Sequence, residues 1–308
     1  MSLVSLPVKS DAEQACAGTL LRPGNGNCGG CGMSTALQIF GRAAERRRMQ
    51  FVIPASCAAV MVGPFPTTSL AAPAVLSTFG AGAAVATGLA RVARLNGDGT
   101  RVVVWAGDGG TYDIGMASLS AAAERDEDVL YVCYDNEIYG NTGGQRSSAT
   151  PAGASTTNTP AGKPEEKKDI LAIMAAHRVR YAASLSIAHP ADAVRKIRRA
   201  LDTTGFRFLH VLAPCPTGWK SEPALGIELV RLAVRSGLYP VIEIVEGRKT
   251  VINVEPDFAK EALELYLSLQ RRFQRSGITA ERLAPAIAQT WRDLRARSGR
   301  IVPADREA

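Results

Sequence analysis

The sequence predicts an α/β fold: a mainly parallel sheet covered by helices on both faces, with a helical extension at the C-terminus. Two observations carry this prediction. Continuous runs of β-branched and aromatic residues, such as 101–106 and 129–135, are typical of strands buried on both faces. Segments with helical periodicity separate these runs along most of the chain, which is the pattern of parallel strands joined by helical crossovers.

The individual elements follow from these patterns. Short apolar runs predict strands at 51–53, 101–106, 129–135, 181–187, 206–213 and, around a turn at Gly247, within 241–254. Longer segments with one apolar side predict helices at 34–48, 76–95, 116–125, 169–177, 190–201, 227–235, 258–274 and 280–297. Residues 140–167 read as a long loop, which is usually functional or a partner contact. We therefore expect an N-terminal arm (1–27), a main α/β domain (28–240) and a C-terminal hairpin with a helical extension (241–308).

Composition and charge exclude several classes of protein. The 308 residues are 46% hydrophobic and 21% charged with a formal net charge of +7, so the chain is not a disordered tail. Basic residues cluster at 42–48 and 195–199, which we interpret as solvated helix faces rather than nucleic-acid contacts. Docking of an acidic partner is the alternative interpretation of these clusters. Residues 51–90 are uncharged, but prolines and glycines interrupt them, so we expect buried core or a subunit interface and no membrane span.

The N-terminus and the cysteine count indicate the compartment. Residues 1–17 contain no unbroken apolar segment, so we expect no secretory signal. Six cysteines are too few for a disulfide scaffold in a chain of this length. We therefore expect a cytoplasmic protein, in which grouped cysteines are metal ligands or catalytic residues rather than disulfides.

The first motif that indicates chemistry is the sequence Gly107-Asp108-Gly109-Gly110, which follows a predicted strand. Asn136 follows the next strand, 28 positions after Asp108. A strand end followed by a helix N-terminus is where open α/β sheets bind phosphates, because free backbone N–H groups face the ligand. The oxygens of Asp108 and Asn136 suit a hard divalent ion such as Mg²⁺. The pattern predicts a diphosphate and metal site, while a plain tight turn is the alternative.

The second motif is a set of four cysteines, Cys28, Cys31, Cys57 and Cys215. The first two form a Cys-Gly-Gly-Cys sequence, and Cys215 lies in a proline-flanked loop at a strand end. Four thiolates fit either a [4Fe-4S] cluster or a tetrahedral zinc ion, and their spacing does not separate the two. We interpret Cys16, in the arm, and Cys133, inside a strand, as ordinary thiols.

Together the two motifs resemble the β subunit of pyruvate:ferredoxin oxidoreductase and its relatives among the 2-oxoacid:ferredoxin oxidoreductases. The resemblance spans about residues 28–246 and is carried by the two N-terminal cysteines, IPASC (53–57), WAGDGGTYDIG (105–115), YDNEIYGNTGGQRSSATPAGA (134–154) and APCPTGW (213–219). It implies that residues 28–240 form a thiamine diphosphate-binding domain carrying one [4Fe-4S] cluster on the four cysteines.

The resemblance also implies roles for individual residues. Mg²⁺ would be bound by the side chains of Asp108 and Asn136 and by the carbonyl oxygen of Ile138. The residues expected along the cofactor are Gly107, Asp108, Gly109, Gly110, Asn136, Ile138, Gly140, Asn141 and Thr142, with Asn141 near the reacting thiazolium as the one catalytic candidate. The glutamate that activates thiamine is expected from a partner subunit.

The implied activity is oxidative decarboxylation of a 2-oxoacid to an acyl-CoA, with electrons passed through the cluster to ferredoxin or another acceptor. The expected partners are α-, γ- and δ-type subunits of the same complex. Pyruvate is the default substrate. Gly140 and Gly144 leave open a larger branched or aromatic substrate, such as phenylglyoxylate. Two rivals remain at this point: a zinc-stapled, noncatalytic partner-binding subunit, and non-oxidative thiamine catalysis.

Overall fold

The computed structural model describes residues 19–45, 47–64, 66–97 and 99–301, with side chains described up to Ser298. Within these residues nine strands form one sheet. The strands are β1 (Met49–Pro54), β2 (Ala74–Ser77), β3 (Arg101–Gly107), β4 (Val129–Asp135), β5 (Tyr181–Leu185), β6 (Arg207–Leu212), β7 (Val241–Val245), β8 (Lys249–Val254) and β9 (Ser298–Ile301). Their order across the sheet is β2-β1-β3-β4-β6-β5-β7-β8-β9.

The first six strands of this order run parallel, as the sequence predicts. The β7–β8 hairpin joins them antiparallel to β5, and β9 pairs parallel with β8. The helices are α1 (Gly32–Ala44), α2 (Cys57–Val62), α3 (Gly82–Asn96), α4 (Met116–Glu124), α5 (Ile170–Ala176), α6 (Pro190–Asp202), α7 (Pro216–Trp219), α8 (Gly226–Arg235), α9 (Lys260–Ser268) and α10 (Ala280–Arg297).

Both faces of the sheet are buried. Along β3, Val103 belongs to one core while its neighbours Val102 and Val104 belong to the other, because successive side chains of a strand point to opposite faces. Helices α1, α6 and α8 contribute to the first core, and α3, α4, α5 and α10 to the second. The predicted α/β class with helices on both faces is therefore confirmed.

Several predicted elements differ from the observed ones. The helix predicted at 76–95 begins only at Gly82, because the preceding residues form the edge strand β2, which pairs with β1 through contacts that local periodicity does not reveal. The helix predicted at 258–274 ends at Ser268 and is followed by a 3₁₀ turn at Arg271–Phe273. The short elements α2, α7 and β9 were not predicted. Residues 140–167 contain no helix or strand, as expected.

Most of the described basic residues in 42–48 and 195–199 are exposed, as predicted, although α1 packs against α6. Arg47 pairs with Asp202 at 2.9 Å. Lys196 is fully buried and its amine donates to the Ser184 carbonyl at 2.9 Å, so the interpretation as a solvated face is wrong for this residue. Burial lowers the pKa of Lys196 to about 8 even though Asp192 lies beside it.

The uncharged segment 51–90 contains both buried and exposed apolar residues. Phe51 and Val52 are fully buried in the two cores, as expected. Val60 and Leu76 are instead more than half exposed, at 57% and 53%. Among the described helices, none has the length and apolarity to cross a membrane.

Candidate active site

Four neighbouring parallel strands end at one edge of the sheet and carry the predicted site residues. Strands β1, β3, β4 and β6 lie side by side in that order. Cys57, Asp108, Asn136 and Cys215 follow the carboxyl ends of these four strands. Ligands of open α/β sheets bind outside this edge. The topology therefore places both predicted motifs at one end of the sheet.

Asp108 begins a tight turn at the end of β3. The chain continues as a π-helical turn at Gly109–Asp113, where a simple turn was predicted. The Asp108 side chain is 2% exposed, and the Ser147 hydroxyl donates a hydrogen bond to its Oδ2. Burial, and then the negative charge of Asp135, raise the pKa of Asp108 well above its usual range. A buried carboxylate under this repulsion suits a bound cation, so the site fits the predicted Mg²⁺.

Asn136 and Ile138 occupy the turn that follows β4, which we call the 136–138 loop. Asn136 Oδ1 accepts a hydrogen bond from the backbone N–H of Ile138 at 3.3 Å. The carbonyl oxygen of Asn136 accepts from the indole N–H of Trp219 at 2.8 Å. These contacts fix the loop beside Asp108 with oxygen donors that a hard ion prefers.

A cavity of about 590 Å³ lies over this edge of the sheet. All nine residues predicted along the cofactor line it. Sequence reasoning missed other lining residues, which are Ala55, Ser56, Phe79, Tyr134, Tyr139, Gln145, Arg146 and Asn158. Tyr139 and Gln145 flank the predicted glycine loop and could have been found from it, whereas Phe79 and Asn158 come from distant segments without a motif.

Gly109 is needed where the cavity wall meets an aromatic ring. A side chain at this position would overlap the Tyr139 ring, which packs edge-on against Phe79 at 5.9 Å between centroids. We expect Gly109→Ala to displace Tyr139 and to weaken thiamine diphosphate binding about 5- to 150-fold, the range that overpacking of 1–3 kcal/mol gives. Calorimetric titration of the copurified complex measures this. Gly88→Ala, with no atom near the added Cβ, is the control, and equal affinities of the two variants would contradict the assignment.

Gly140 and Gly144, the two glycines predicted to make room for a larger substrate, lie in different surroundings in the structure. Gly140 lines the cavity, and an added Cβ would meet only the Cys57 sulfur, at 3.7 Å. Gly144 does not line the cavity. It has a φ of 89° and faces Ile138 and Thr157, so its role is conformational rather than to enlarge the cavity.

The four cysteines of the second motif come from three places at the same edge. Cys28 and Cys31 precede α1, and the Cys31 N–H donates to the Cys28 carbonyl at 3.2 Å. Cys57 opens α2, and Cys215 caps α7, where its sulfur accepts from the Gly218 N–H at 3.3 Å. Burial, and then the charges of Cys215, Cys31 and Cys28, raise the pKa of the Cys57 thiol to about 12. The structure thus brings all four sulfurs into one electrostatic group.

The donor atoms of these cysteines decide which metal group they can hold. In the described part of the chain, no three His, Cys, Asp or Glu side chains are close enough to hold a single metal ion. Four thiols at one end of the sheet are a donor set for either a zinc ion or an iron–sulfur cluster, so both alternatives from the sequence stay open.

Gly32 allows the two cysteine-bearing segments to approach each other. Its N–H donates to the Pro214 carbonyl at 2.9 Å, and an added Cβ would lie 2.5 Å from the Pro214 nitrogen. We expect Gly32→Ala to push Cys31 away from Cys215 and to reduce the iron content of the purified complex by more than half. Gly29→Ala, at a position between Cys28 and Cys31 where an added Cβ meets no atom within 4 Å, should keep its iron. Iron loss in both variants, or in neither, would argue against this packing role.

Cys133 and His210 lie in the central strands of the sheet and not in this group. Cys133 is fully buried inside β4, as expected, and Cys16 lies outside the described residues. His210 lies in β6 and contacts Asp135 Oδ2 at 2.8 Å. Cys57 also reaches the cavity, where its thiol donates to Asn141 Oδ1 at 3.2 Å.

Sequence reasoning missed a buried ionic group behind the 136–138 loop. Lys167 lies 2.5 Å from Asp135 and 2.9 Å from Glu137, and Arg272 lies 2.7 Å from Glu137. Burial alone would raise the pKa of Asp135, but Lys167 and His210 lower it well below its usual range. The available signal was the pair of acidic residues on either side of Asn136, which a simple turn does not require.

Comparison with known proteins agrees with this geometry. Residues 55–211 match the family described as thiamine pyrophosphate enzyme, C-terminal TPP binding domain. Ketoisovalerate oxidoreductase subunit VorB of Pyrococcus horikoshii is 39% identical over 284 residues, covering 88% of this chain and 91% of the relative. Pyruvate synthase subunit PorB of Methanothermobacter marburgensis is 42% identical over 262 residues, covering 82% of this chain and 89% of the relative.

A solved structure supports the same relationship. The 2-oxoglutarate:ferredoxin oxidoreductase from Magnetococcus marinus, with 2-oxoglutarate, coenzyme A and succinyl-CoA bound, superposes with a TM-score of 0.57 at 25% identity. The match covers 68% of this chain and 79% of that one. The chain therefore belongs to the thiamine pyrophosphate enzyme family and, within it, to the β subunits of the 2-oxoacid:ferredoxin oxidoreductases.

Proposed function

We propose that this chain acts in a heteromeric complex that oxidatively decarboxylates a 2-oxoacid to an acyl-CoA and transfers electrons to ferredoxin or another acceptor. The chain would hold thiamine diphosphate, Mg²⁺ and one [4Fe-4S] cluster. When bound, the thiamine supplies the electron sink for decarboxylation and the cluster supplies one-electron acceptance. The activities named for the two relatives and the solved structure support this reaction class.

This chain's own residues would bind and orient the cofactor. Asp108, Asn136 and the Ile138 carbonyl would hold Mg²⁺. Backbone N–H groups of Gly109 and Gly110, at the start of the π-helical turn, would face the diphosphate. Asp108, Asn136 and Ile138 are themselves buried, which strengthens the electrostatic contacts that they would make.

The observation that carries the proposal is the position of Cys57. Its side chain lines the cavity that all nine predicted cofactor residues share. Cys215, Cys31 and Cys28 lie near enough to raise the pKa of the Cys57 thiol further, beyond the effect of burial. One residue therefore belongs to both groups, so a cofactor in the cavity and a cluster on the cysteines would be neighbours. Such proximity is what electron transfer from the thiamine site requires.

The partner subunits would complete the site. We propose that the carboxylate that activates thiamine comes from an α-type subunit and that γ- and δ-type subunits complete the complex. The exposed side chains of Val60 and Leu76, in the uncharged segment 51–90, support an apolar subunit contact near this edge of the sheet. We also propose that ferredoxin or an acidic subunit docks on the exposed basic residues of 42–48 and 195–199.

The substrate within the 2-oxoacid class is the finer part of the proposal. The ketoisovalerate and pyruvate relatives are 39% and 42% identical to this chain, so identity does not choose between them. We keep pyruvate as the default substrate and a branched or aromatic 2-oxoacid as the alternative. Gly140 supports the alternative, because it leaves the cavity open near Cys57.

The test is dye reduction by the complex purified anaerobically together with its partner subunits. Viologen reduction is measured with pyruvate, 2-oxoisovalerate and phenylglyoxylate, each with and without coenzyme A. We expect reduction that depends on a 2-oxoacid, thiamine diphosphate and coenzyme A. Aldehyde release without dye reduction would indicate non-oxidative catalysis, a colourless zinc-containing complex would indicate the structural rival, and full activity of the isolated chain would refute the need for partners.

A further inference from the structure

Successive residues from Asp135 to Ile138 face alternately a buried ionic group and the cavity. Asn136 and Ile138 line the cavity. Asp135 and Glu137 are also buried, but they pair with Lys167 and Arg272 and do not line the cavity. The loop is therefore held from behind by the ionic group.

Glu137 is the strained residue of this loop. Its φ is 63°, in the left-handed region that residues with side chains seldom adopt. Such a backbone persists only where the surrounding structure holds it. Here the Thr150 hydroxyl donates to the Glu137 carbonyl at 2.7 Å, while Lys167 and Arg272 bind its carboxylate oxygens at 2.9 and 2.7 Å.

Arg272 also reaches the segment that carries Cys215. Its guanidinium carbon lies 4.1 Å from the ring centroid of Trp219, a stacking distance. Trp219 in turn donates its indole N–H to the Asn136 carbonyl and its backbone N–H to the Cys215 carbonyl, at 2.8 and 2.7 Å. Arg272 is 2% exposed, so both contacts are buried.

We propose that Arg272 is a positioning residue that joins the metal-binding loop to the cysteine-bearing loop, through Glu137 on one side and Trp219 on the other. This inference rests on the proposed function. It assigns a role in the cofactor region to the C-terminal segment 241–308, which sequence analysis treats only as an extension. Arginine suits the role because its planar group binds a carboxylate and stacks on an aromatic ring at the same time.

The test compares three variants of the complex purified with its partners. Arg272→Met removes both contacts, and Arg272→Lys keeps a positive charge for Glu137 but loses the stacking. Glu137→Gln weakens the ionic contacts of Glu137 with Arg272 and Lys167 and keeps the stacking. Thiamine diphosphate affinity in the presence of Mg²⁺ reports on the metal-binding loop, and the rate of iron release to a chelator reports on the cysteine-bearing loop. Arg207→Met is the matched control, since Arg207 is equally buried but pairs with Asp128 at the other end of β4.

We expect Arg272→Met to weaken thiamine diphosphate affinity and to speed iron release, each about 10- to 100-fold, as for residues that support metal ligands. Arg272→Lys should recover most of the affinity but not the slow iron release, and Glu137→Gln should change the affinity alone. Arg207→Met should lower the melting temperature without changing either property. Equal changes in Arg207→Met and Arg272→Met would overturn the inference, as would unchanged affinity and iron release in Arg272→Met.

The unmodified complex distinguishes a failure of the proposed function from a failure of the positioning role. If it binds neither thiamine diphosphate nor iron, the proposed function fails. If the unmodified complex binds both, and Arg272→Met changes affinity and iron release no more than Arg207→Met does, the positioning role alone fails.

Discussion

Replacing Asp108 by alanine is expected to abolish 2-oxoacid-dependent dye reduction, with a loss of at least about 10³-fold. Asp108 is the one fully ionisable side chain among the three proposed Mg²⁺ ligands, and its burial leaves no solvent to replace it. Without it, Mg²⁺ would lose its one charged ligand, and the negative charge of the diphosphate would lack a compensating cation. Binding of thiamine diphosphate, measured by calorimetric titration, should fall with the activity.

The control for this change is Asp128→Ala. Asp128 precedes β4 at the opposite edge of the sheet and pairs with Arg207, so its loss should affect stability and leave cofactor binding intact. The iron content of Asp108→Ala should also stay at the level of the unmodified complex. An Asp108→Ala complex with normal thiamine diphosphate affinity would contradict the assignment of the metal site.

Replacing Cys215 by serine is expected to give the second large effect. Acceptor reduction should fall about 10³-fold or more, and the complex should lose most of its iron. The reason is that the thiolate is a far better ligand of iron–sulfur clusters than a hydroxyl group. Cys215 does not line the cavity, so thiamine diphosphate affinity should change little. Iron analysis and calorimetric titration of the same preparation measure the two properties separately.

Two further cysteine variants sharpen this result. Cys57→Ser should reduce iron and also change thiamine diphosphate affinity, because Cys57 lines the cavity and contacts Asn141. Cys133→Ala should change neither, since its thiol is buried inside β4 away from the cysteine group. Full iron in Cys215→Ser, or iron loss in Cys133→Ala, would show that the four proposed ligands are wrong.

Much of this architecture could be predicted because its signals are local. The apolar runs of β3 and β4 and the glycine turn between them are continuous in sequence, and the order of parallel strands then places Asp108 beside Asn136. Likewise, each of the four cysteines lies next to a glycine or a proline, or within three residues of a strand end. Predictions of this kind require only periodicity and short motifs.

Other features depend on contacts between distant segments and could not be predicted. The edge strand β2 is extended because it pairs with β1, although its neighbours favour a helix. The burial of Lys196 in the basic helix face follows from its contacts with Asp192 and with Ser184 of β5. Arg272 reaches Glu137 across 135 positions of sequence, a distance at which no motif gives a signal.

We propose that this one chain holds both a thiamine site and a cluster, close enough to exchange electrons. The most direct measurement is electron paramagnetic resonance of the anaerobic complex, frozen after addition of a 2-oxoacid in the absence of any external acceptor. We expect a reduced-cluster signal that is absent from the Cys215→Ser complex and, although its iron is retained, from the Asp108→Ala complex. A thiamine-loaded, iron-containing complex whose cluster is reduced by none of pyruvate, 2-oxoisovalerate and phenylglyoxylate would contradict this proposal.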